Sequence, residues 1–94
     1  PGDYELLIRG CSEHDDILLE LRLDGKPLSP EVGVARLTST GGWCRTTDDW
    51  RYFLVCREDG QPARIRLSAG THVLRMVQRG GSMNLDLLAW VKAQ

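Results

Sequence analysis

The sequence predicts an all-β domain, an antiparallel β-sandwich of the jelly-roll kind, on three observations. Apolar and polar residues alternate at a period of two along several segments, turn-forming residues separate those segments at near-regular spacing, and no segment is a convincing helix. A chain of 94 residues holds one core, so residues 1–94 are expected to form one domain within a larger protein or assembly.

In the first strand Tyr4, Leu6 and Ile8 alternate with Glu5, Leu7 and Arg9, which sends successive side chains to opposite faces. Gly10 to Asp16 is a polar connection, after which Ile17, Leu19, Leu21 and Leu23 alternate with Leu18, Glu20, Arg22 and Asp24. Asp24-Gly25-Lys26-Pro27 is a turn whose glycine takes a positive φ without steric cost. A weaker strand runs from Val32 to Leu37, and Thr38 to Asp49 is a loop rich in glycine and threonine. Trp50 to Cys56 is dense in aromatic and β-branched residues, which suits a strand whose Trp50 and Tyr52 share a core-facing side and whose Cys56 is a small buried hydrophobe.

Glu58 to Pro62 turns the chain into a strand from Ala63 to Leu67, and Ser68-Ala69-Gly70 turns it again. Thr71 to Gln78 places His72, Leu74 and Met76 on the core side, with His72 a satisfied structural imidazole. Arg79-Gly80-Gly81-Ser82 joins this strand to the last, Asn84 to Lys92, as a hairpin. That last strand is apolar on both parities, the pattern of a central strand covered on both faces. Read as a helix instead, Met83 to Ala93 leaves its neighbour without a pairing partner.

Twelve basic and thirteen acidic residues give a net charge of −1 with no long block of either sign, which argues against nucleic acid or an anionic membrane as partner and for a neutral one. No apolar run approaches the roughly 20 residues of a membrane helix, and Pro1-Gly2-Asp3 lacks the start of a secretory signal. Cys11, Cys44 and Cys56 have no Cys-x-x-Cys spacing, and their odd number leaves at least one thiol without a partner in the chain. Cys11 and Cys44 pair only if their loops meet at one end of the sandwich. The sequence carries no nucleophile elbow, phosphate loop, metal triad or arguable carboxylate pair, so it is not expected to be an enzyme.

Four fragments in order resemble one superfamily. They are Gly2-Asp3-Tyr4-Glu5-Leu6-Leu7-Ile8-Arg9, the turn Leu21-Arg22-Leu23-Asp24-Gly25, the loop Thr40-Gly41-Gly42-Trp43, and Leu67 to Leu74 with the pattern Leu-x-x-Gly-x-His-x-Leu. Together with Asn84-Leu85-Asp86 they resemble carbohydrate-binding modules with a galactose-binding-like β-sandwich, families six and thirty-five among them. Members of those families usually begin with one or two further strands, which bring a calcium-binding glutamate and an aromatic cleft wall, and this chain begins after them. The resemblance also leaves Trp43 to Trp50 longer than the family's connection. It implies an extracellular or periplasmic accessory domain that binds a poly- or oligosaccharide and tethers an attached catalytic domain or partner enzyme to it.

The resemblance carries the family's cleft tryptophan onto Trp43. A sugar offers a C–H face and a fringe of hydroxyls, so an aromatic plate and a polar amide are the expected handles. Trp43 in its glycine-flanked loop and Asn84 at the start of the last strand supply them, with Arg45 and Asp48 as further hydroxyl partners. The competing readings are a loop-anchoring tryptophan and a turn asparagine. Asp86 matches a family aspartate that helps bind a structural calcium, an ion that needs six to eight oxygens, and its alternative is a carboxylate bonded locally at a strand edge. Glu13-His14-Asp15-Asp16 is a dense polar run best read as a solvated loop. Arg64, Arg66, Arg75 and Arg79 point outward from two neighbouring strands as a solvated face that would attract an acidic sugar such as a uronate. The alternative function is a structural or protein-interaction β-sandwich domain without a sugar site, whose open sheet edges pair with another chain.

Overall fold

A computed structural model describes residues 2–29, 32–44 and 48–93. The described chain has no helix and eight strands: β1 (Gly2–Cys11), β2 (Ile17–Leu23), β3 (Lys26–Pro27), β4 (Val34–Leu37), β5 (Arg51–Leu54), β6 (Ile65–Leu67), β7 (Leu74–Gly80) and β8 (Asn84–Lys92). They form two antiparallel sheets, each built around one long strand. In the first sheet β1 pairs along its whole length with β8, and its other side is shared end to end by β6 and β5. In the second, β2 pairs with β7 on one side and with β3 and β4 on the other.

The period-two pattern explains why β1 and β2 take the central positions. Leu6 and Ile8 of β1 and Ile17, Leu19 and Leu21 of β2 are almost wholly withdrawn from water, and they face one another across a single core completed by Leu28, Val32, Ala35, Leu37, Val55, Ala63 and Ile65. Burying a side chain of this size stabilises the fold by about 1.5–3 kcal/mol, so two long strands with every second residue in the core dominate the packing. The architecture is all-β and sandwich-like, as the alternation predicts.

Three expectations fail, each for a definable reason. The last two strands do not form a hairpin: β7 joins β2 and β8 joins β1, so residues 81–83 carry the chain from one sheet to the other. A glycine-rich turn permits a reversal within a sheet, but here the reversal crosses the core. Nor is β8 central. Among the described residues it pairs only with β1, and Leu85, Leu87, Trp90 and Val91 stay exposed. Its apolar residues of one parity, Leu88 and Trp90, stand opposite Ile8 and Leu6 on the core side, whereas Leu87 and Ala89 stand opposite Arg9 and Leu7 on the outer side. Cys56, expected in the core, is exposed, because the strand ends at Leu54 and Cys56 forms only an isolated bridge with Pro62.

The β2–β3 hairpin closes with Asp24-Gly25, both at positive φ (52° and 83°), so the chain needs an aspartate and a glycine, residues that tolerate that region. Asp24 then reaches the loop before β7: its Oδ1 accepts the Val73 N–H at 2.8 Å and its Oδ2 lies 2.6 Å from His72 Nδ1. The other ring nitrogen of His72 donates to the Ser68 carbonyl at 2.8 Å. His72 is thus satisfied, but half-buried at the end of the sandwich rather than within the core. With a carboxylate at one nitrogen and a carbonyl at the other, the imidazolium is favoured. The Asp24 bond, with help from Ser68, raises the His72 pKa, and the same bond lowers that of Asp24.

The raised histidine stabilises the fold fully below its unfolded value of about 6.5, and this contribution fades as pH rises through the folded value; the lowered aspartate contributes above about 3.9 and fades as pH falls through its folded value. Urea midpoints are therefore expected to be highest between about pH 4 and 6.5 and to decline on the alkaline side. The His72→Gln variant should lose that alkaline decline, and an unchanged profile in the variant would remove the assignment.

Candidate functional site

Ser12, buried beyond the end of β1, joins three connections at one pole of the molecule. Its N–H donates to Thr40 Oγ1 at 3.0 Å and its carbonyl accepts from the Thr40 N–H at 2.9 Å and the Ser39 hydroxyl at 3.2 Å. Its own hydroxyl donates to the Ser82 carbonyl at 2.5 Å and accepts the His14 N–H at 2.9 Å. The β1–β2 loop, the Thr38–Asp49 loop and the β7–β8 crossing are thereby held together. A second tie lies within the long loop, where Asp49 Oδ2 accepts the Cys44 N–H at 3.1 Å. A Cβ on Gly42 would come within 2.5 Å of that same oxygen, and Gly41 has φ +99°, so the glycine pair is required by the close approach of Asp49 and by the backbone.

These ties bring Trp43 and Asn84 to the same pole. Asn84 pairs with Cys11 in the β1–β8 register, and its Nδ2 donates to the Trp43 carbonyl at 3.5 Å. Trp43 is half-buried and Asn84 exposed, so Trp43 lies outside the core and its backbone meets the Asn84 side chain. His14 stands edge-on to the Trp43 ring, centroids 5.7 Å apart with the planes at 72°. The rim therefore holds the Trp43 indole with the His14 imidazole against it, and the Asn84 carboxamide on the Trp43 backbone. Asp48, exposed, accepts the Trp50 N–H at 3.3 Å, while Arg45 lies outside the described residues.

From Asn84 the same strand leads onto the outer face of the first sheet. Arg9 of β1 forms an ion pair with Asp86 of β8, and its guanidinium lies over two rings, 5.2 Å from the Trp50 centroid and 5.8 Å from that of Tyr52. The Asp86 bond raises the Arg9 pKa further. The expectation that Trp50 and Tyr52 face the core does not hold: Tyr52 is 58% exposed and opposite Arg9, because β5 turns its other parity, with Phe53, inward. Leu7, Leu54, Leu87 and Ala89 continue this aromatic and aliphatic surface. Arg9 had no sequence signal beyond its place on the outer parity of β1.

The Asp86 carboxylate is held by a guanidinium, and among the described residues no group of three or more histidine, cysteine, aspartate or glutamate side chains converges there or elsewhere. A calcium ion calls for six to eight oxygens, of which one carboxylate supplies at most two. The four arginines expected on neighbouring strands divide between the sheets. Arg66 lies opposite Asp3 in the first, 3.5 Å from its carboxylate, with Arg64 just before it, whereas Arg75 and Arg79 belong to β7 in the second. Glu13, His14, Asp15 and Asp16 are all exposed, as a solvated loop requires.

Compared with protein-family models, curated proteins and solved structures, the chain matches none.

Cys11 and Cys44 are unbonded thiols beneath the Trp43–Asn84 rim. Burial pushes the Cys11 thiol up from its ordinary range, and its hydrogen bond with the Cys44 thiol adds to that. Exchange with glutathione disulfide, which is reduced to two thiols as the protein loses two hydrogens and gains one S–S bond, should join this pair. Mass spectrometry is expected to find that link with Cys56 still open to alkylation, and the Cys44→Ser variant to lack it. A link through Cys56 would contradict the arrangement.

Proposed function

We propose that the chain is a non-catalytic carbohydrate-binding module of galactose-binding-like, jelly-roll architecture, acting extracellularly or in the periplasm to hold an attached or partner enzyme on a glycan. The observation that carries the reading is the half-buried Trp43 with the His14 ring against its indole, at the pole where the Asn84 amide meets the Trp43 backbone. A sugar ring stacks its C–H face on the indole, while the amide oxygen and the free amide proton of Asn84 meet hydroxyls. Tyr52, with the Arg9–Asp86 pair beside it, offers further stacking area and hydrogen-bonding groups along the outer sheet face. Calorimetric titration with a panel of neutral oligosaccharides tests it. The Trp43→Ala variant is expected to bind at least about tenfold more weakly than the wild type, a loss of about 1.4 kcal/mol. Absence of heat with every glycan would refute the proposal.

A second reading, a domain that pairs with another chain, is favoured by one observation. The outer edge of β8 runs nine residues without a pairing strand among the described residues, with Leu85, Leu87, Trp90 and Val91 exposed. Long apolar edges invite strand addition. Sedimentation across a concentration series distinguishes the two, since strand addition between copies requires mass to rise with concentration and to fall back in a β8 variant such as Leu87→Lys. A monomer at every concentration argues against self-pairing.

A further inference from the structure

The outer face of the second sheet is unlike that of the first. Because Leu21 and Leu23 of β2 point into the core, Glu20 and Arg22 point away from it, and the register places Arg22 opposite Arg75 and Glu20 opposite Val77. On the β4 side Arg36 lies opposite Leu18 and Val34 opposite Glu20. Arg79, at the irregularity in the β2–β7 ladder, reaches Glu20 on the same face. Four arginines thus share one sheet face with one carboxylate, on a chain whose net charge is −1. A directly opposed pair of like charges, with Cβ atoms about 5 Å apart, opposes sheet formation.

The face already contains one carboxylate bound by guanidinium groups. Glu20 Oε1 accepts from Arg79 Nε at 3.0 Å and from its Nη2 at 2.5 Å, while Oε2 accepts from Arg22 Nε at 3.2 Å. Those contacts, Arg79 first, hold Glu20 below the usual carboxylate range, so it stays charged. Arg75 and Arg36 differ: among the described residues neither lies within ion-pair distance of a carboxylate. Between Glu20, Arg22, Val73, Arg75, Val77 and Arg79 lies an open depression of about 500 Å³. Its aliphatic members, Val73 and Val77, give it apolar surface.

We propose that this face is a second binding surface, for an acidic polysaccharide whose uronate carboxylates are taken by Arg75 and Arg36 as Glu20 is taken by Arg22 and Arg79. Guanidinium groups match planar carboxylates through paired N–H donors, and several in one plane suit a polymer that carries a charge on successive sugars. Valine side chains between them suit the C–H surfaces of the rings. Nucleic acid is the poorer fit, because the described outer face of this sheet has no aromatic side chain on which a base stacks. The surface is separate from the Trp43 rim, which is built from loops joining the two sheets and from the start of β8.

The experiment is binding of the whole chain to immobilised polygalacturonate over a range of salt concentrations, with its fully methyl-esterified form and single-stranded DNA as comparisons. The wild type is expected to bind polygalacturonate, more weakly as salt rises, and not to bind the ester. The Arg36→Gln/Arg75→Gln variant should bind at least about tenfold more weakly. The Arg64→Gln/Arg66→Gln variant, which removes the same charge beside the other sheet, should stay within about twofold. No binding, equal weakening by both arginine pairs, or tighter binding to DNA than to polygalacturonate overturns the proposal. All four arginines in these variants are exposed, and circular dichroism of each variant separates lost binding from lost fold.

Discussion

The arrangement of the candidate glycan rim depends on one buried residue, Ser12. Its peptide and hydroxyl groups are the point at which the end of β1, the loop that carries Trp43 and the crossing that leads to Asn84 meet. A buried polar group that loses its partners costs about 1–3 kcal/mol, so these segments are held by satisfaction of hydrogen bonds rather than by apolar packing. Loops fixed in this way bring together groups from positions 41 residues apart, as the Asn84 amide and the Trp43 carbonyl show. The pair of central strands supplies the core, and the candidate rim is what Ser12 gathers at their end.

The two sheets share a core but present different outer chemistry. Aromatic and aliphatic side chains with the Arg9–Asp86 and Arg66–Asp3 ion pairs lie on the first sheet, and four arginines with a single glutamate lie on the second. This difference follows from what alternates with the core residues: Leu7 and Arg9 on β1, Glu20 and Arg22 on β2. Net charge conceals it, since a near-neutral total is compatible with strongly segregated faces.

Sequence patterning reveals what is local and misses what is set by distant pairing. The alternations of β1 and β2 and the Asp24-Gly25 turn were legible because period and turn chemistry act over a few residues. The placement of β8 was not, because a strand apolar on both parities reads alike whether a second strand covers its edge or an apolar outer face accounts for it. For Trp50 and Tyr52, alternation shows that they share a side, while only the pairing of Tyr52 with Arg9 shows which. Of the rim, Trp43 and Asn84 are singled out by resemblance, whereas Ser12, Arg9 and Asp49 act through partners that no spacing rule connects to them.

The ladder between the first and last strands sets the order in which the molecule assembles. Tyr4 lies opposite Lys92, so the partners at that end are 88 positions apart. At about 5–20 residues per second, a ribosome takes roughly 4–18 s to make that intervening length. Until then the longest strand of the first sheet emerges with one flank bare, and its apolar side chains depend on β5 and β6, or on a chaperone, for shelter. Sandwiches closed by such distant pairings fold slowly once released, which makes vectorial synthesis, rather than final stability, the vulnerable stage in the life of this domain.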